Sequence, residues 1–142
     1  MIILDTNVLS ELMRLHPEPE VLEWVDRQSG GELAVTAVNV AEILTGIAVL
    51  DDGAKKRALM DAAAVLFDQL FSGRVLSFDR IAAAEYAAIV AERRRQGSPI
   101  SMADAQIAAV CRTADHILAT RNTADFDHTG IELVNPWTVR HV

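Results

Sequence analysis

Four carboxylates stand where they could do chemistry: Asp5, Glu42, Asp104 and Asp125. Asp5 closes the apolar run Met1-Ile2-Ile3-Leu4 and is followed by a hydroxyl and an amide, Thr6 and Asn7. Glu42 comes shortly after a second apolar stretch, Leu33-Ala34-Val35-Thr36. Asp104 heads a stripe of Ile107, Ala108 and Cys111, which at helical spacing turns it toward the core side. Asp125 lies three residues after Asn122, so the two share one face of a turn. Carboxylates gathered in one crevice repel, and their pKa values rise. A divalent cation removes that conflict. Carboxylates, an amide and water are hard oxygen donors suited to Mg²⁺ or Mn²⁺. Zinc fits poorly, because His16, His116, His128 and His141 lack ligand spacing. The single Cys111, set among Ala109, Val110 and Ala114, excludes a multi-cysteine zinc site and reads as core.

Each acid also has a plainer reading. Asp5 or Asn7 can cap the helix that follows. Asn39-Val40-Ala41-Glu42 and Ser101-Met102-Ala103-Asp104 both fit capping boxes. Asn122 can cap a short helix with Asp125 in its first turn. Taken singly, capping is the simpler account. The elements that carry these residues decide whether they meet.

The chain alternates strand-like and helical segments. Residues 1–4, 33–36, 75–78, 116–120 and 131–134 read as strands. Helices are expected over residues 6–14, 20–28, 38–50, 55–71, 79–96 and 101–113, with a short helical or loop segment at 122–126. Breaks fall at His16-Pro17-Glu18-Pro19, Ser29-Gly30-Gly31, Asp51-Asp52-Gly53, Ser72-Gly73, Gly97-Ser98-Pro99 and Asn135-Pro136. Such alternation predicts an α/β fold with a five-stranded parallel sheet and helices on both faces. The crossovers should be right-handed, and ligands should bind beyond the carboxyl ends of the strands. Asp5, Glu42 and Asp125 each follow a strand end on that side. Glu42 is followed by Thr45 and Gly46, which leave room beside it.

With 142 residues the chain fits one domain, residues 1–142. Hydrophobic residues make up 51% and charged residues 23%, as in a soluble globular protein. No apolar run approaches the ~20 residues that span a bilayer, and Asp5 interrupts the N-terminal run too early for a signal peptide. A cytoplasmic location with no membrane partner is expected. A net charge of −7 argues against gripping nucleic acid by bulk electrostatics but not against a nuclease whose acids hold cations. Eleven of the thirteen basic residues are arginine, the better bidentate phosphate ligand. Arg93-Arg94-Arg95 could track a nucleic-acid backbone, though a basic run at a helix end is usually solvated and complements the helix dipole.

The ordered set resembles the PIN domain. It comprises Asp5-Thr6-Asn7 after a strand, Glu42 in Val40-Ala41-Glu42, Asp104 in Ser101-Met102-Ala103-Asp104-Ala105, and Thr120-Arg121-Asn122 with Asp125-Phe126. The nearer likeness is to VapC/FitB-type toxins of bacterial toxin–antitoxin pairs, and Asn135-Pro136-Trp137 also resembles that branch. The resemblance implies a three-layer α/β/α sandwich and a Mg²⁺- or Mn²⁺-dependent endoribonuclease. Asp5, Glu42 and Asp104 would match the three central acids, with Asp5 and Asp104 holding the principal ion. Asn122 stands where some members have a fourth Asp, and Asp125 would supply that charge, shaping a weaker second site. Thr6, Asn7 and Arg121 would position water or substrate, Arg121 being equally suited to a structural ion pair. The resemblance also implies an RNA substrate, a toxin homodimer within a larger complex, and a cognate antitoxin with a DNA-binding domain. The first helix, with Leu9, Leu12, Met13 and Leu15, suits either a partner groove or ordinary core burial.

Rival readings are a haloacid-dehalogenase-like phosphatase, a phosphoacceptor receiver domain, a non-catalytic module whose acids are all caps, and a PIN nuclease outside toxin–antitoxin systems. The phosphatase wants a second Asp two residues after the first, where this chain has Asn7. The receiver needs a late lysine, and the only lysines are Lys55 and Lys56.

Overall fold

A computed structural model describes residues 1–139; the expectation for His141 lies outside them. Five strands, β1 (Ile2–Leu4), β2 (Leu33–Thr36), β3 (Val75–Leu76), β4 (Ile117–Ala119) and β5 (Glu132–Val134), form one sheet in the order β3-β2-β1-β4-β5. Every pairing is parallel. Six α-helices accompany them among the described residues: α1 (Thr6–Leu12), α2 (Pro19–Arg27), α3 (Ala37–Ala48), α4 (Ala54–Val65), α5 (Arg80–Arg95) and α6 (Met102–Arg112).

Period-two alternation along the strands builds two cores. Leu4, Leu33, Val35 and Ala119 face a core shared with Val8 and Leu9 of α1, Val21 and Trp24 of α2, and Ile43 and Ile47 of α3. Ile3, Ala34 and Leu118 face the opposite core, with Ile89 of α5 and Ile107, Ala108 and Cys111 of α6. The expected three-layer α/β/α sandwich is therefore present. Each fully buried Leu or Ile side chain contributes about 2 kcal/mol through removal from water. Cys111 is core, as expected, and its burial pushes the thiol up to about 12.

Several boundaries move for identifiable reasons. The first helix stops at Leu12, short of the expected Arg14. β3 covers only Val75–Leu76, because its sole neighbour β2 ends at Thr36 and turns into α3. The expected continuous helix to Phe71 changes at Leu66 to a π-helical turn, Leu66–Leu70, closed by Phe71 N–H on Leu66 O at 2.9 Å. That turn buries Leu66, Phe67 and Phe71 together. No helix among the described residues is long and apolar enough to cross a membrane.

The topology sets the site. β1 is central: the chain passes from it to β2 and β3 on one side and returns through α5 and α6 to β4 on the other. In open α/β sheets the crevice at such a switch point receives ligands. Asp5 N–H donates to Ala119 O at 2.9 Å, which ties the end of β1 to the end of β4.

Candidate active site

Asp5 occupies the N-cap position of α1, so the capping account is correct as far as it goes. Its Oδ1 accepts the Thr6 N–H at 2.8 Å. Yet it is only 5% exposed and gathers further donors. The Thr120 hydroxyl donates to Oδ2 at 2.7 Å, Asn7 Nδ2 reaches Oδ2 at 3.4 Å, and Asn39 Nδ2 reaches Oδ1 at 3.5 Å. In spite of these donors its pKa is raised to about 6. Burial is the main cause, and the charges of Asp104 and Glu42 add to it. Asp104, half-buried at the N-terminus of α6, is also raised, first by burial and then by Asp125 and Glu42. The acids that follow separate elements therefore do act on one another. The sequence expectation named repulsion as the reason for raised pKa values; desolvation contributes more.

The remaining candidates take different places. Glu42 is exposed and accepts the Thr6 hydroxyl at 2.6 Å. It belongs to no capping box: α3 begins three residues earlier than that reading required. Thr36, the last residue of β2, is the N-cap, and its box partner is Asn39. One residue ends the strand and caps the helix, so Glu42 lies a turn further in and projects into the crevice mouth. Ser101 does cap α6, its hydroxyl accepting the Asp104 N–H at 3.2 Å. Asn122 is at the N-cap position of a 3₁₀ turn, Thr123–Phe126, but its side chain makes no capping bond. Its backbone N–H donates to Thr120 Oγ1 at 3.1 Å. Asp125 is exposed and acts on Asp104 rather than on Asp5. Asn7 bridges the two strand ends, since its Oδ1 accepts the Arg121 N–H at 3.2 Å. Arg121 forms no ion pair among the described residues; its guanidinium stacks on Trp137.

Three contributors escaped the sequence reading. Asn39 is fully buried: Oδ1 accepts from the Thr36 N–H and hydroxyl, while Nδ2 donates to Thr6 Oγ1 at 3.1 Å. It thereby directs the Thr6 proton toward Glu42. Thr120 directly follows β4 and supplies the shortest donor to Asp5. Arg93 is 5% exposed and donates to Ser98 O, Asp125 O and Asp127 O at 2.6, 2.9 and 3.0 Å. That overturns its reading as one of three solvated or RNA-tracking arginines. Of the other two, Arg95 pairs with Glu92 and Arg94 is exposed. A polar residue three positions beyond a strand-ending threonine was the one available sign for Asn39.

Asn39→Ala removes both the cap acceptor and the donor to Thr6, and is expected to cost about 2 kcal/mol in urea unfolding. Asn39→Asp keeps the acceptor but sets a carboxylate against Asp5. It should cost more than the alanine at pH 7; equal stability with the parent would contradict the burial and contacts described.

These donors suit a hard divalent cation. Among the described residues no three Asp, Glu, His or Cys side chains close into a ready-made cage. Mg²⁺ does not need one: it keeps several waters and is held by one or two carboxylates plus substrate phosphate.

The PIN domain family pattern matches residues 2–132. The chain belongs to the PIN-domain family. This PIN domain is similar to Toxin FitB of Neisseria gonorrhoeae, at 38% identity over 96% of this chain and 99% of that protein. It is 36% identical to VapC ribonuclease Y4jK of Sinorhizobium fredii, over 96% of this chain and 98% of that one. Among solved structures it matches a chain of FitAB bound to an IR36 DNA fragment, with a TM-score of 0.92, 38% identity and 99% of both chains covered. The expected PIN architecture is thus the observed one.

Proposed function

We propose that this PIN domain is the toxin of a toxin–antitoxin pair and acts as a divalent-metal-dependent endoribonuclease. The observation that carries the reading is Asp5. It is a buried carboxylate at the end of the central strand, raised to about 6, within the electrostatic reach of Asp104 and Glu42. The names of the relatives, a VapC ribonuclease and a FitB toxin, agree with it.

Asp5 and Asp104 would hold Mg²⁺ or Mn²⁺, with Glu42 from the crevice mouth and Asp125, near Asp104, completing the charge. The bound ion supplies Lewis-acid polarisation of the scissile phosphate and an acidified water for in-line attack. The protein's own part is to hold that geometry. Thr6 N–H, Thr120 and Asn39 fix the Asp5 carboxylate. The Thr6 hydroxyl, steered by Asn39, holds Glu42 and would help to orient a water or substrate there. Asn122 and Arg121 lie at the β4 side, where the RNA backbone would cross.

A groove of about 820 Å³ opens beside Glu42, lined by Met13, Leu15, Ile43 and Ile47 and reaching Thr6. Leu9 is core, whereas Leu15, in the turn after α1, is 90% exposed at the groove. A cognate antitoxin segment seated in the groove would cover Glu42 and the Thr6 side of the crevice. The DNA-bound FitAB complex is consistent with such a partner carrying a DNA-binding domain. Size-exclusion chromatography with light scattering would test the toxin homodimer.

The purified chain incubated with RNA should cleave it in Mg²⁺ or Mn²⁺ and stop in EDTA. Cleavage that persists in EDTA, or in Asp104→Asn, sinks the metal reading. Metal affinity should also depend on pH with a definite sign. The ion needs Asp5 ionised, so affinity should be full above pH ~7 and fall by up to about tenfold per pH unit below about 6. Calorimetric titration with Mn²⁺ measures it; tighter binding in acid would contradict the ligand set.

A further inference from the structure

The turn Asn135-Pro136-Trp137 is outside the acidic cluster, yet it is fastened to the strand end that carries part of it. Asn135 Nδ2 donates to Arg121 O at 3.4 Å, and Asn135 Oδ1 accepts the Trp137 N–H at 2.9 Å. On its other side Arg121 is tied through its backbone N–H to Asn7, two residues from Asp5. Its guanidinium carbon lies 5.0 Å from the centroid of the Trp137 ring. The ring is partly buried against the α1–α4 core, and among the described residues its buried indole N–H meets no acceptor.

Several other cations are engaged. Arg14 pairs with Glu11, Arg95 with Glu92 and Arg112 with Glu85, while Arg93 is buried on carbonyls. Arg121 is exposed and has no ion pair among the described residues. A chain of net charge −7 with an acidic crevice repels a polyanion. A backbone entering that crevice needs a local cation beside it. A guanidinium with one face on an indole keeps its N–H edges open, and those edges fit a phosphate bidentately.

We propose that Trp137 is a positioning residue that holds Arg121 as a clamp for an RNA backbone phosphate flanking the scissile one. The clamp rests on the ribonuclease reading above. The two ideas fail separately. A fluorescent oligoribonucleotide is titrated by anisotropy in Mg²⁺ onto the cleavage-deficient Asp104→Asn protein, with and without clamp substitutions, across a salt series. Arg121→Ala should weaken binding about tenfold and lower the log–log salt slope by about 0.7. Trp137→Leu should reproduce most of that loss, while Trp137→Phe, which keeps a ring, should bind within about twofold of the background. In cleavage assays of the otherwise unaltered chain, Arg121→Ala should raise KM about tenfold with kcat little changed. A merely structural role would lower Tm without moving the salt slope, and that result overturns the clamp. So does an unchanged affinity and KM in Arg121→Ala while Mg²⁺-dependent cleavage persists. If Trp137→Leu does not fold, Arg121→Ala and Trp137→Phe still decide the matter. Absence of metal-dependent cleavage by the parent chain would instead refute the ribonuclease reading.

Discussion

Asp5→Asn is expected to melt higher than the parent in EDTA at pH 7 and to gain nothing from added Mn²⁺. The sign follows from the raised pKa. Between about 3.8 and about 6 the folded, metal-free protein holds a proton on Asp5 that the unfolded chain has already released. This group's contribution therefore falls as pH rises through that window. At neutral pH the ionised carboxylate costs the metal-free fold about 3 kcal/mol relative to a neutral residue. The amide gives part of this back, because its NH₂ must face the Thr120 hydroxyl, which already accepts from Asn7 and Asn122. A net gain of about 2 kcal/mol, or about 6 °C in Tm, should remain. The difference between variant and parent should close below pH ~4. Cleavage should drop about a thousandfold, the size of a lost metal contribution. A metal-free variant that melts below the parent at pH 7 would make Asp5 a stabilising cap and nothing more.

Arg93→Ala is expected to destabilise the α5–α6 half of the molecule as much as a core truncation would. Three carbonyls, those of Ser98, Asp125 and Asp127, lose their shared donor. Removing charge-assisted bonds of this kind costs about 3 kcal/mol, seen as a fall of about 10 °C in Tm. Arg93→Lys should recover less than half, since one ammonium cannot reach carbonyls on two separate loops. Because Asp125 hangs from one of those carbonyls, kcat should fall in the surviving folded protein. Should Arg93→Ala melt with the parent but bind RNA weakly, the arginine run would be a nucleic-acid track after all.

Much of this protein was legible in its residues. The apolar runs Ile2-Ile3-Leu4 and Leu33-Ala34-Val35 could only be buried strands, and the alternation with helices dictated a parallel sheet with a ligand edge. Asp5 and Asp104 drew notice because an acid at the end of an apolar strand, or heading an apolar helical stripe, sits against the core boundary by local geometry alone, and the structure has Asp5 buried and Asp104 half-buried. What sequence could not decide were properties that depend on a neighbour far along the chain. Asn39 looked like a cap for Glu42; the three-residue shift that buries it against Thr6 and Asp5 exists because Thr36 both ends β2 and caps α3. Arg93 looked solvent-facing in its helix, and only the packing of the Asp125 turn across the end of α5 buries it. Asp125 was paired with Asn122 by spacing, whereas the tertiary fold sets its charge against Asp104. Period and capping are local and can be read from a few residues. Burial is long-range, and in this crevice burial, more than repulsion between the acids, raises Asp5 to about 6.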